Sequence, residues 1–209
     1  AEEFEEEGNL GIQVESQNIP ALIFMDDLTT IAEGYEQEDR TLNAVHTFGV
    51  KHKVEWGQEK CKVMVVGKQR ERRTEWKQGD KDIENCSSYK YLGEIIARDG
   101  GNEENLKSRF SKVKGTVRAI NTCGKVKIMR RIEVEALITL HNAVTLPSLL
   151  YNSETWPLTA NARKEIDKME VWAWKSMLGL PKTTPTAAVI YATGSLYASI
   201  RVQIKQLIY

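Results

Sequence analysis

Apolar positions along this chain follow two different periods. Through roughly the first hundred residues they come in short runs divided by turn residues, and after that they recur every three or four positions. Residues 11–14 alternate apolar and polar, and residues 20–25 (PALIFM) are an almost continuous apolar run. Asp26-Asp27 interrupts the run and a strand-like pattern resumes over 28–32, which predicts a β-hairpin with the two aspartates at its turn. Leu42, Val45 and Phe48 stand at i, i+3 and i+6, so a helix is expected over 35–48 with Gly49 as its stop. Residues 61–66 (CKVMVV) predict a buried strand closed by Gly67, and 68–77 a charged connection. Residues 89–97 (YKYLGEIIA) predict a strand pair before the Asp99-Gly100-Gly101 turn.

Past Gly101 the character is helical. Leu106, Phe110, Val113, Val117 and Ile120 form one stripe of a long helix. Residues 132–146 and 160–178 are amphipathic too, separated by Pro147 and the segment SLLYNSETWPL. Leu196, Ile200, Ile204 and Leu207 hold helical register over 195–209. The expected architecture is α+β, with a strand-rich part over 1–100 and a helical part over 101–209.

Composition narrows the function classes. With 41% hydrophobic and 28% charged residues the chain is neither disordered nor fibrous. No window approaches the roughly 20 apolar residues of a membrane span, and the glutamate-rich start is the opposite of a signal or transit peptide. Cys61, Cys86 and Cys123 lie far apart with no CxxC, so neither a disulfide framework nor a cysteine-rich zinc site is indicated. An intracellular location, nucleus or cytoplasm, is the expectation.

Net charge is zero, from 29 Lys+Arg and 29 Asp+Glu, but it is unevenly spread. Residues 1–50 hold twelve acids and one base, Arg40, whereas 51–209 hold 28 bases and 17 acids. That split suggests an acidic site facing a basic binding surface. Residues 105–131 carry nine bases and no acid: Lys107, Arg109, Lys112, Lys114, Arg118, Lys125, Lys127, Arg130 and Arg131. Five of them share a helix with the Leu106–Ile120 stripe, so a face that neutralises phosphates is expected rather than a merely solvated one. Trp156, Trp172 and Trp174 are expected in the core, since Trp172 shares a helical face with Met169 and Ile166. His46, His52 and His141 are isolated and lack metal-ligand spacing.

Asp26 and Asp27 at the end of an apolar strand are the sharpest chemical feature. Adjacent carboxylates can be two solvated acids at a turn, or hard oxygen ligands for Mg²⁺ of the kind that phosphoryl transfer by two metal ions uses.

Four segments occur in an order that resembles the reverse transcriptases of non-LTR (LINE-type) retrotransposons. ALIFMDDLTTIA resembles the Y/F-x-D-D catalytic hairpin, and Phe48-Gly49-Val50 with Glu59-Lys60-Cys61-Lys62-Val63-Met64 resembles the next motif. Tyr89-Lys90-Tyr91-Leu92-Gly93 resembles the primer-grip hairpin, and PSLLYNSETWPL resembles the thumb signature LLYGxExW. The resemblance implies a partial right-hand polymerase palm, an antiparallel hairpin with a helix, followed by a helical thumb. It implies RNA-directed DNA synthesis with Mg²⁺ in the complete protein, Asp26 binding metal and Asp27 as the adjoining carboxylate. Lys60 would lie near the incoming triphosphate as a proton donor to pyrophosphate. Phe24, Tyr91, Leu92 and Gly93 would hold the primer strand, and the basic helix would lie along the template-primer duplex without sequence preference.

The chain also departs from that pattern. The family's first catalytic aspartate belongs to an earlier strand, and nothing before Phe24 resembles it, so polymerisation by this chain alone is not expected. Gly57 stands where Asn is usual, and Asn152 where the thumb signature has Gly. A noncatalytic nucleic-acid-binding or interaction protein derived from a retroelement is the alternative, and a decayed copy of one is a third reading. A palm hairpin without its neighbouring strand would present an apolar edge, from which homo-oligomers are expected.

Overall fold

The computed structural model describes residues 10–67, 73–125 and 133–209. Those residues form an α+β protein that divides into two units, Ala1–Tyr89 and Lys90–Tyr209. The division falls ahead of the expected boundary at Gly100, because the hairpin following Tyr89 buries its Glu94 among helical residues.

In the first unit β1 (Ile12–Val14) pairs antiparallel with β2 (Gln17–Ile19). Next, β3 (Ala21–Phe24) pairs antiparallel with β4 (Asp27–Thr30), in register from Ala21↔Thr30 to Phe24↔Asp27. Only Met25 and Asp26 form the connection, so Asp27 opens the second strand instead of sharing the turn. Helix α1 (Tyr35–His52) buries Thr41, Leu42, Ala44 and Val45. It does not stop at Gly49, which is itself buried where the indole of Trp56 folds back to donate to the Val45 carbonyl at 3.2 Å. The helix ends at Lys53, in a left-handed conformation with its N–H on the Gly49 carbonyl.

The expected strand over 61–66 shortens to β5 (Lys62–Val63), parallel to β7 (Lys81–Asn85), which also pairs antiparallel with β6 (Trp76–Gln78). Leu42, Val63, Trp76 and Ile83 make a small core, with Tyr35 meeting Trp76 edge-on at 5.6 Å. Trp76 also donates to Asn85 Oδ1 at 2.8 Å, so its polar end is satisfied inside the unit.

The hairpin of β8 (Ser88–Tyr91) and β9 (Glu94–Ala97) leads into α2 (Glu103–Lys125). Then come α3 (Val134–Leu140), a π turn (His141–Thr145), α4 (Leu146–Leu149), α5 (Ala160–Met177), α6 (Thr186–Thr193) and α7 (Ala198–Ile208). Val113, Val117, Leu149, Ile166, Ala173 and Val202 are fully buried where α2, α4, α5 and α7 meet. Trp156 and Trp174 are buried and Trp172 packs half-buried against the same core, so all three are packing residues.

Polar groups finish the helical core. Thr159 caps α5 by accepting from the Ala162 N–H at 3.2 Å. The fully buried Glu170 accepts from the Ala198 N–H at 2.6 Å, and His141 stacks on Trp174 at 3.9 Å. Helix α7 closes over the loop between α4 and α5: Lys205 donates to the Leu150 carbonyl, and Gln206 to the carbonyls of Ser153 and Trp156.

Candidate nucleic-acid interface

The aspartate hairpin is exposed along most of β3 and at its turn, whereas Leu28, Thr29 and Thr30 of β4 are half-buried. Ile23 is 69% and Met25 86% exposed, and Leu22 and Phe24 are about half so. Asp26 and Asp27 are exposed as well, and among the described residues no group of three or more His, Cys, Asp or Glu could hold a metal ion. Mg²⁺ takes near-octahedral oxygen coordination, usually one or two carboxylates with water and phosphate oxygens completing it, so Asp26 and Asp27 are donors of suitable chemistry. Among the described residues these two carboxylates do not close a cation site, and no step through a metal follows from them.

Lys60, expected at a catalytic centre, is tied through its backbone to Tyr89, to which the sequence reading gave no role of its own. The Tyr89 hydroxyl donates to the Lys60 carbonyl at 2.9 Å. Partial burial pushes the Tyr89 phenol up, and the charge of Asp27 raises it further, followed by the thiols of Cys61 and Cys86. Tyr89 thus ties β8 to the Lys60-Cys61 segment by a hydrogen bond. Strand alternation on β8 places Tyr89 on the face of Tyr91, which was the available clue. The Lys60 side chain is exposed, while Lys62 turns to Glu84 in a 2.5 Å ion pair.

The turn of the YLG hairpin is tightly specified. Leu92 (φ +46°) and Gly93 (φ +83°) both lie in left-handed space, the combination that a two-residue hairpin loop requires. Each residue of the tip is bound by the helical elements. Tyr151 donates from its hydroxyl to the Leu92 carbonyl at 3.0 Å, and Arg109 to the Gly93 carbonyl at 2.8 Å. The carboxylate of Glu94 meets Arg109 at 2.5 Å and accepts from Trp156 Nε1 at 2.5 Å and from Asn105 Nδ2. The Arg109 guanidinium also lies 4.4 Å over the Tyr151 ring. Two segments far apart in sequence, YLGE and LLYNSETW, are therefore parts of one network.

Comparison with protein-family models, with curated proteins and with solved structures finds no match.

That network corrects one expectation. Arg109 is only 3% exposed and spends its charge on Glu94, so it is not part of the basic face. Lys107, Lys112, Lys114 and Arg118 are exposed on α2. At about 100° per residue, Lys107, Lys114 and Arg118 fall within an arc of roughly 40°, beside the buried stripe. Lys112 lies off this arc: partial burial, then Arg109 and Lys90, push its ammonium down, against Glu94. Lys125 is the last residue of α2, and Lys127, Arg130 and Arg131 lie outside the described residues. The only acids of α2, Glu103 and Glu104, sit in its first turn, where the helix dipole favours them. Among the described residues, no helix is long and apolar enough to cross a membrane.

Proposed function

We propose that this chain holds a template-primer duplex, as the later palm and thumb of a reverse transcriptase of the non-LTR retrotransposon kind. The observation that carries the reading is the face of Lys107, Lys114 and Arg118, which lacks any acid beyond the first turn of α2. Backbone conformation supports it as well. Asn152 stands where the thumb signature has Gly, and its φ of +57° is one that Gly adopts freely and Asn tolerates better than most residues. Gly93 of YLG needs the same left-handed freedom. In a protein that also carries the first catalytic aspartate, Asp26 and Asp27 would complete the Mg²⁺ site for nucleotidyl transfer, Lys60 would face the triphosphate, and Phe24, Tyr91 and Leu92 would line the primer.

The test is fluorescence anisotropy with a labelled RNA–DNA hybrid over a salt series. Affinity that falls steeply with salt and is indifferent to sequence is the expected result. Affinity unchanged from low to high salt overturns the reading. Asp26→Asn is expected to abolish primer extension in the complete protein while leaving duplex binding intact.

A noncatalytic role in nucleic-acid binding is the second reading, favoured by the small donor set at Asp26 and Asp27. Under it Asp26→Asn changes nothing. Both readings expect the apolar strands around Ile23 to recruit a second chain; a strictly monomeric mass by light scattering at micromolar concentration counts against that.

A further inference from the structure

From the hairpin tip we infer that Arg109 and Glu94 are a positioning pair that fuses the Leu92-Gly93 turn to α2, so that hairpin and helix grip a nucleic-acid strand as one clamp; the inference rests on the duplex-holding reading above.

Three consecutive residues of one turn are each held by a side chain from another element. Tyr151 holds the Leu92 carbonyl, Arg109 the Gly93 carbonyl, and Arg109, Asn105 and Trp156 the Glu94 carboxylate. This fixing is applied to a turn whose first residue is a leucine in left-handed space. Backbone in that state persists where its surroundings over-determine it, and such positions gather at sites where geometry is used. The side chain thus presented, Leu92, is 39% exposed. Arg109 reaches nothing outside: its guanidinium is enclosed between the Tyr151 ring, the Gly93 carbonyl and Glu94. One guanidinium nitrogen, Nη2, donates both to the Gly93 carbonyl and to the Glu94 carboxylate, so a single group of the helix holds two consecutive residues of the turn by charge-assisted bonds.

Positioning and phosphate contact leave different traces. A lysine or arginine that neutralises a phosphate contributes about 0.9 to the slope of log affinity against log salt, whereas a residue acting through another contributes none. The experiment uses the full chain, a labelled RNA–DNA hybrid, and the variants Glu94→Gln, Arg109→Met and Arg109→Lys. Amide hydrogen exchange is followed at residues 91–95 and in α5. Glu94→Gln and Arg109→Met are expected to speed exchange at 91–95 at least tenfold with α5 unchanged, and to weaken hybrid binding about tenfold at an unaltered salt slope. Arg109→Lys is expected to fall between them and the wild type. Should Arg109→Met unfold the helical unit, the other two variants carry the test. A slope lowered by about one in Arg109→Met makes Arg109 a phosphate contact and overturns the inference. So does exchange that rises equally in α5, or tip exchange that rises while affinity holds. Absence of any hybrid binding by the wild type removes the duplex-holding reading, and exchange at 91–95 then decides whether the turn is fused to α2.

Discussion

Trp156 donates its indole N–H to Glu94 Oε1 at 2.5 Å, joining residues 62 positions apart in sequence. Both are buried, so the bond cannot be exchanged for one to water. Trp156→Phe keeps most of the ring volume and removes the donor. It is expected to lower the unfolding free energy by about 2 kcal/mol, the cost of leaving a buried charged acceptor short of a partner. The urea midpoint of the full chain measures it; an unchanged midpoint means that Asn105 and Arg109 satisfy Glu94 unaided.

Gly49→Ala is expected to damage the first unit. A Cβ there would stand 2.6 Å from Trp56 Nε1 and 3.0 Å from the Val54 carbonyl. Overpacking of this kind costs about 1–3 kcal/mol. Emission from Trp56 is expected to shift to the red as the indole leaves the Val45 carbonyl. Gly34→Ala is the control, because nothing lies within 4 Å of a Cβ at that position and its backbone is extended. Equal loss in both variants would mean that Trp56 does not pack as described.

Glu38 gives the first unit a pH dependence. Burial, and secondarily the neighbouring Asp39, raise its carboxyl from 4.5 to about 7. Between those values the folded state binds more protons than the unfolded one, so stability falls as pH rises through that window and levels off above it. Glu38→Gln removes the titration. The variant is expected to match the wild type near pH 4.5 and to exceed it by about 2 kcal/mol at pH 8, after discounting for partial exposure. Parallel urea curves across that range would contradict the assignment.

The basic face of α2 makes an additive prediction. Lys107→Gln, Lys114→Gln and Arg118→Gln are each expected to lower the salt slope for hybrid binding by about 0.9, with equal loss on every sequence tried. A variant that changes affinity for one sequence alone would mark a base contact instead.

Much of this fold was legible before the structure, and the gaps have physical causes. Helices α2 and α5 were read from spacing because their apolar residues repeat with the helix's own period, and the hairpin of residues 21–30 from an apolar run broken by the aspartates. The β6–β7 hairpin was missed: β7 offers Ile83 as its single buried residue among charged neighbours, and nothing local shows that Trp76 anchors it. Gly49 looked like a helix stop because its partner, Trp56, arrives from beyond the helix. Arg109 looked like a surface base for a similar reason. Its position on α2 gives no hint of a buried carboxylate 15 residues earlier, since pairing of that kind depends on tertiary contact and not on period. Of the site residues, the segments and their order were visible, while the bond from Tyr89 to the Lys60 carbonyl became visible only with the chain folded.

The clasp of α7 on the loop after α4 has a consequence for synthesis. The carbonyls of Leu150, Ser153 and Trp156 find their side-chain donors in Lys205 and Gln206, 50 to 55 residues downstream. While the chain grows, that loop has to wait for its fastener, and a nascent helical unit without α7 keeps Val202's place in the core open. Ribosome-bound chains arrested before residue 198 are therefore expected to be open to proteases around the loop of residues 150–158, and chains that have released α7 to be closed there.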